Sequence, residues 1–200
     1  MTVRLRPATP EDADGFAPLL LLSAEEFLPA VFGPSTAPLL TRLFREAGNL
    51  FSFRHVRFAE AGGRLLGLTL AYSADEERRE RLRTGWLLML GLGGGFLARL
   101  GPLLSAQGLV AAVRPGEHYL SNIAVSPAAR GQGVGSLLLA ALEQEARAAG
   151  SRALVLDVET ANHGAIRLYR RHGFVVERTT APRRLGPQSF RFHRMRKELR

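Results

Sequence analysis

The stretch that most constrains the fold is Tyr119-Leu120-Ser121-Asn122-Ile123-Ala124-Val125-Ser126-Pro127-Ala128-Ala129-Arg130-Gly131-Gln132-Gly133-Val134-Gly135. It runs from an apolar strand through a proline turn into the glycine-rich start of a helix. The first turn of a helix leaves backbone N–H groups without partners and carries the positive end of the macrodipole, so a pyrophosphate is favoured there. Glycine lets phosphates approach the backbone, and Arg130 adds a cation beside them. On this pattern alone, Gly133 and Gly135 are also satisfied by a tight turn with no ligand. The neighbouring segments decide between the two.

Residues 162–174, Asn162-His163-Gly164-Ala165-Ile166-Arg167-Leu168-Tyr169-Arg170-Arg171-His172-Gly173-Phe174, form a second such signal. A helix here ends at Gly173, the favoured residue just past a helix C-terminus. Ala165 and Tyr169 lie four apart on one face, so a small side chain clears space beside a phenol. A phenol of ordinary pKa ~10 can protonate a departing thiolate. Half-buried aromatic packing is the competing account of Tyr169, and Leu168 and Phe174 read as core.

Together the two segments resemble the GNAT superfamily of N-acetyltransferases, whose motif A reads Q/R-x-x-G-x-G/A after a strand and whose last helix reads N-x-x-A-x-x-L-Y-x-x-x-G-F. The likeness extends through Leu154-Val155-Leu156-Asp157-Val158-Glu159 and covers the chain except residues 75–116. It implies an α/β (α+β) fold with a mixed, mostly antiparallel sheet of about seven strands, flanking helices and a strand that splays at a bulge. It also implies acetyl-CoA as acyl donor and an amine as acceptor, joined by direct attack in a ternary complex. By the same resemblance Ile123, Ala124 and Val125 meet the pantetheine arm. The backbone of Gly131, Gln132, Gly133, Val134, Gly135 and Ser136 holds the pyrophosphate beside Arg130. Asn162 and Ala165 contact the cofactor, and Tyr169 faces the sulfur.

The other elements follow from periodicity. Residues 3–8 alternate apolar and basic, predicting a strand. Thr9-Pro10-Glu11-Asp12 opens a helix with Thr9 as N-cap. A second helix covers 38–47, with Gly33-Pro34-Ser35 as the break. Residues 54–60 and 65–72 flank Ala61-Gly62-Gly63 as a hairpin. Strands follow at 119–125, 153–159, 174–180 and 190–196, and a long helix at 133–149, with 183–188 as loop. The whole reads as one domain with a helical insertion, about two short helices, at 75–116.

Composition removes several chemistries. There is no cysteine, so disulfides and thiolate sites are absent, and no metal is expected. The formal charge of +9 suits a polyanionic ligand as well as nucleic acid, and only Lys197 among 27 basic residues is lysine. No signal peptide is read at the N-terminus, which makes the cytoplasm the expected compartment. Residues 86–113 hold only Arg99 as a charge, but Gly91, Gly93, Gly94, Gly95, Gly101, Pro102 and Gly108 interrupt them. They read as buried or interfacial, not spanning, and must be covered by the domain, a second copy in a homodimer, or a lipophilic substrate.

The incoming ammonium must lose a proton, and Glu117 is the candidate base. Residues 117–125 resemble the segment that carries a catalytic glutamate in ribosomal-protein alanine N-acetyltransferases; in histone-type enzymes that glutamate sits where Tyr119 is. Alternation puts Glu117, Tyr119, Ser121 and Ile123 on one face until a bulge intervenes. A solvated strand start is the competing account of Glu117. Glu25, Glu26 and Phe27 hint at a cationic acceptor. Two other functions compete: a non-catalytic acyl-CoA sensor, and a nucleic-acid or anionic-surface binder built on Arg178, Arg183, Arg184, Arg191, Arg194, Arg196, Lys197 and Arg200.

Overall fold

The structure is a computed structural model that describes residues 2–107, 109–110 and 112–199. Among the described residues nine strands form: β1 Arg4–Pro7, β2 Val56–Ala61, β3 Arg64–Ser73, β4 Glu117–Val125, β5 Ala153–Glu159, β6 Val175–Thr179, β7 Arg183–Leu185, β8 Gln188–Phe190 and β9 Phe192–Glu198. Seven of them make one sheet in the order β1-β2-β3-β4-β5-β9-β6. Among its described pairings only β4 with β5 is parallel. The α/β expectation of a mostly antiparallel seven-stranded sheet holds. Gly62 and Gly63, at φ 57° and 73°, close the β2–β3 hairpin in the left-handed conformation that a two-residue turn requires.

Helices cover both faces. On one side lie α1 Ala13–Leu21, α2 Phe27–Phe32 and α3 Thr36–Arg45. Phe16, Leu20, Leu40 and Phe44 from these helices pack with Phe58, Leu68 and Leu70 of the sheet. On the other side lie α6 Val134–Ala148 and α7 His163–Arg171, where Leu139, Leu142, Ile166 and Tyr169 pack with Leu120, Leu154 and Leu156. Thr9 begins α1 through a short 3₁₀ turn, donating its backbone N–H to Asp12 at 2.8 Å.

The insertion differs from the two short helices expected. Ser73 and Glu76 form a capping box, Glu76 taking the Ser73 N–H at 2.7 Å. From it α4, Ala74–Leu92, runs through the charged and the apolar residues without a break. A 3₁₀ turn at Gly93–Gly95 leads into α5, Phe96–Gln107. Leu88, Leu92 and Leu103 lean on the core, whereas Trp86, Leu97 and Leu104 are 58%, 76% and 64% exposed. By length and composition Ala74–Ala106 could cross a membrane, and none of its apolar window is buried. Burial, one of the two expectations for this stretch, is met on one side only: Leu109 is fully buried and Leu88, Leu92 and Leu103 pack on the core, while the outer face stays exposed. Gly108 lies outside the described residues.

The region expected as loop at 183–188 also folds: β7 and β8 pair as a separate hairpin around Gly186 at φ 61°. Before Gly33 two helices, α1 and α2, form where a single one was expected.

Candidate active site

The site begins where β4 changes partners. Its first four residues pair with β5, from Glu117↔Ala153 to Leu120↔Leu156, and there the pairing stops. On the β3 side the register skips Ser121, with Leu70 opposite Asn122 and Ala71 opposite Leu120. One extra residue reverses the parity of a strand. Tyr119 faces the α1 side with Tyr72, but beyond the bulge it is Ala124 that packs into the α1 core, while Ile123 turns toward α6. The expected common face of Glu117, Tyr119, Ser121 and Ile123 is broken beyond Ser121, where Ile123 leaves it.

A polar chain pins the splayed half to α1. Ser121 donates to Asn122 at 2.9 Å, Asn122 donates to Ser23 Oγ at 2.8 Å, and Ser23 donates to the Leu20 carbonyl at 2.6 Å. All three side chains line a cavity of about 360 Å³ that passes through the gap between β4 and β5. Ile123, Asn162, Ala165 and Tyr169 line it too, so the candidate pantetheine and sulfur contacts converge there.

The loop before α6 leaves its backbone open to a ligand. Gly131 and Gly133 sit at φ 76° and 81°, and a Cβ on either would meet no heavy atom within 4 Å. Gly133 is the N-cap of α6. This cradle suits a pyrophosphate. Gly135 has a different reason: a Cβ there would come 3.1 Å from Leu168 and 3.6 Å from Val125, so it admits α7 and β4 against α6. Gln132 donates to the Ala128 carbonyl at 2.8 Å, Ser136 Oγ shares a 3.0 Å hydrogen bond with His172, and Val134 is buried against Ala129 and Leu138. Arg130 is exposed, its Nε 3.4 Å from the Val125 carbonyl.

Asn162 caps α7, accepting the Ala165 N–H at 3.0 Å. Tyr169 is 6% exposed, its ring tilted against Phe174 at 5.8 Å. Burial raises its pKa well above the ordinary tyrosine value, so the phenol stays protonated at neutral pH.

Glu117 does not line this cavity. It is 3% exposed and clasped by Arg196 at 2.5 Å, by Arg194 at 3.2 Å and by the Arg114 N–H at 2.8 Å. Arg194, also buried, reaches Asp157 at 2.9 Å and lies 5.3 Å over the Tyr119 ring, whose hydroxyl donates to Asp157 at 3.3 Å. This network knits β4, β5 and β9 together. Its carboxylate lies outside the cavity lining and is taken up by these donors, so the geometry is against Glu117 as base.

Two carboxylates of β5 do line the cavity: Asp157, which Arg194 and Tyr119 hold, and Glu159 at the strand's end, which is the candidate base. Glu159 makes no ion pair among the described residues, and burial, together with the charge of Glu26, raises its pKa. The signal available in the sequence was alternation: Asp157 and Glu159 share one face of a strand ending just before Asn162.

The C-terminal basic run is partly consumed internally. Arg194 and Arg196 bind Glu117, and Lys197 meets Glu143 at 2.5 Å, whereas Arg178, Arg183, Arg184 and Arg191 are exposed. Arg200 lies outside the described residues. No group of His, Asp and Glu suited to a metal occurs among the described residues.

Residues 21–174 match the acetyltransferase (GNAT) family. An uncharacterised protein of Mycobacterium leprae is 50% identical over 60 residues, which are 30% of this chain and only 16% of that protein's length. A crystal structure of an acetyltransferase is 26% identical and superposes with a TM-score of 0.66, covering 98% of this chain and all of the other. An N-acetyltransferase from Staphylococcus aureus Mu50, 20% identical, gives 0.74 over 97% and 100%. A Bacillus subtilis acetyltransferase solved in complex with CoA, 15% identical, gives 0.59 with both chains fully covered.

Proposed function

The chain belongs to the GNAT acetyltransferase family, and on that premise we propose that it transfers an acetyl group from acetyl-CoA to a primary amine by direct attack within a ternary complex. The observation that carries this reading is the convergence of Tyr169, Asn162 and Glu159 on one cavity at the gap between β4 and β5.

In this reading the pantetheine arm lies along the edge of residues 121–125, which β5 leaves unpaired, as an added strand. Backbone N–H groups of residues 131–136 take the pyrophosphate at the N-terminus of α6. Glu159, ionised, accepts a proton from the acceptor ammonium, directly or through one water. The freed nitrogen lone pair attacks the thioester carbon, a C–N bond forms, and the C–S bond breaks as the tetrahedral intermediate collapses. The phenol of Tyr169 gives its proton to the leaving thiolate, and the second proton that the nitrogen sheds on becoming an amide returns to the phenoxide, directly or through water. Burial keeps Tyr169 protonated, as a proton donor must be before it acts, and the raised pKa of Glu159 brings a carboxylate nearer the operating pH of a base.

Thiol release from acetyl-CoA across a panel of amines tests the proposal. Amine-dependent release supports it. Tight acetyl-CoA binding with no release on any amine would instead make the chain an acyl-CoA sensor.

A further inference from the structure

The walls of the reaction cavity carry information about the acceptor. Away from Tyr169 the lining is hydrocarbon: Phe27, Val31 and Phe32 of α2 oppose Leu88, Leu103 and Ala106 of the insertion helices. The charge at the other end has one sign. Asp157 is held by Arg194 and Tyr119, whereas Glu159 has no cationic partner among the described residues and lies close enough to Glu26 to feel its charge. Glu26 in turn accepts from Gln188, a neutral donor, at 3.1 Å.

Resting on the N-acyl transfer reading of the same cavity, we infer that the acceptor is a lipophilic primary amine, its ammonium held at Glu159 and its alkyl or aryl tail lying between α2 and the α4–α5 insertion. A polyamine would press further charges against a wall that offers them no carboxylate, and a peptide N-terminus would bring amide groups to a wall without hydrogen-bonding partners. A cavity of this size and lining, with a few convergent polar groups, is of the kind that takes a small organic molecule. The insertion thereby has a task, since α5 supplies a wall that the sheet and α6 do not.

The test is a homologous series from ethylamine to octylamine, with phenethylamine, spermidine and an alanyl peptide alongside, scored by thiol release from acetyl-CoA. Acetyl-CoA binding is followed separately by calorimetry. Burial of the tail predicts that kcat/KM rises about fourfold per methylene until the cavity is filled. In Ala106→Leu, which shortens the cavity, the ratio of octylamine to ethylamine kcat/KM should fall at least tenfold while acetyl-CoA still binds. In Glu159→Gln the whole amine series should lose at least tenfold. A flat series with spermidine or the peptide preferred overturns the inference and leaves N-acyl transfer standing. Release tenfold faster from octanoyl-CoA than from acetyl-CoA with ethylamine would assign the apolar walls to the donor's chain and overturn it equally. Failure to bind acetyl-CoA at all would remove the underlying reading, and the inference with it.

Discussion

The two halves of β4 make opposite use of one strand. Residues 117–120 are paired on both edges, buried, and fastened through Glu117 to two arginines of β9. Residues 122–125 keep only the β3 partner, and Ser121, Asn122 and Ile123 open on the cavity. A single bulged residue, Ser121, separates the two. A buried carboxylate with its charges satisfied stiffens a structure, and chemistry needs a carboxylate that still faces something unsatisfied. The first kind sits in the paired half, and Glu159 is the second kind, across the gap from the splayed half.

The contrast is probed most strongly by Tyr169→Phe, which removes the proton donor while leaving the ring packed on Phe174. Turnover is expected to fall about 10²- to 10³-fold with little change in acetyl-CoA affinity. Normal turnover with weakened affinity would make Tyr169 a binding residue. Next comes the paired half. Glu117→Gln leaves Arg194 buried without its full counter-charge, a change that costs about 3 kcal/mol and lowers Tm by several degrees in thermal denaturation. An unchanged Tm with lost activity would reverse the roles assigned to the two halves. Smallest is Asn122→Ala, which unties the splayed half from Ser23. About 1 kcal/mol of stability is expected to go, with a modest rise in amine KM and an unchanged acetyl-CoA affinity.

Much of this was legible in the residues. The order of strands, the loop before α6, the capped α7 and the splay are local patterns or follow from the family resemblance, and each formed. The fate of Glu117 was not legible, because it depends on β9 arriving beside β5 from far along the chain. Alternation set Glu117 and Ile123 on one face, and a one-residue bulge at Ser121, set by pairing with β3, undid that. Glu159 escaped notice because its value lies in lacking a cationic partner among the described residues, which no local pattern displays. The insertion misled for a related reason: Gly91 suggested a break, but the Ser73 cap and the continuity of good helix formers carried α4 through it. Gly135 fits the phosphate pattern, yet its lack of a side chain serves Leu168.

The contrast stands or falls on the pH dependence of kcat/KM, measured with one working amine in the parent protein, Glu159→Gln and Glu117→Gln. Glu159 must be ionised to accept a proton, so activity falls as pH drops through its pKa, which burial and Glu26 hold above the ordinary carboxylate value of 4.5. With Glu159 as base, this acid limb is lost in Glu159→Gln and persists, at reduced thermal stability, in Glu117→Gln. An acid limb that survives Glu159→Gln and vanishes in Glu117→Gln would contradict that assignment.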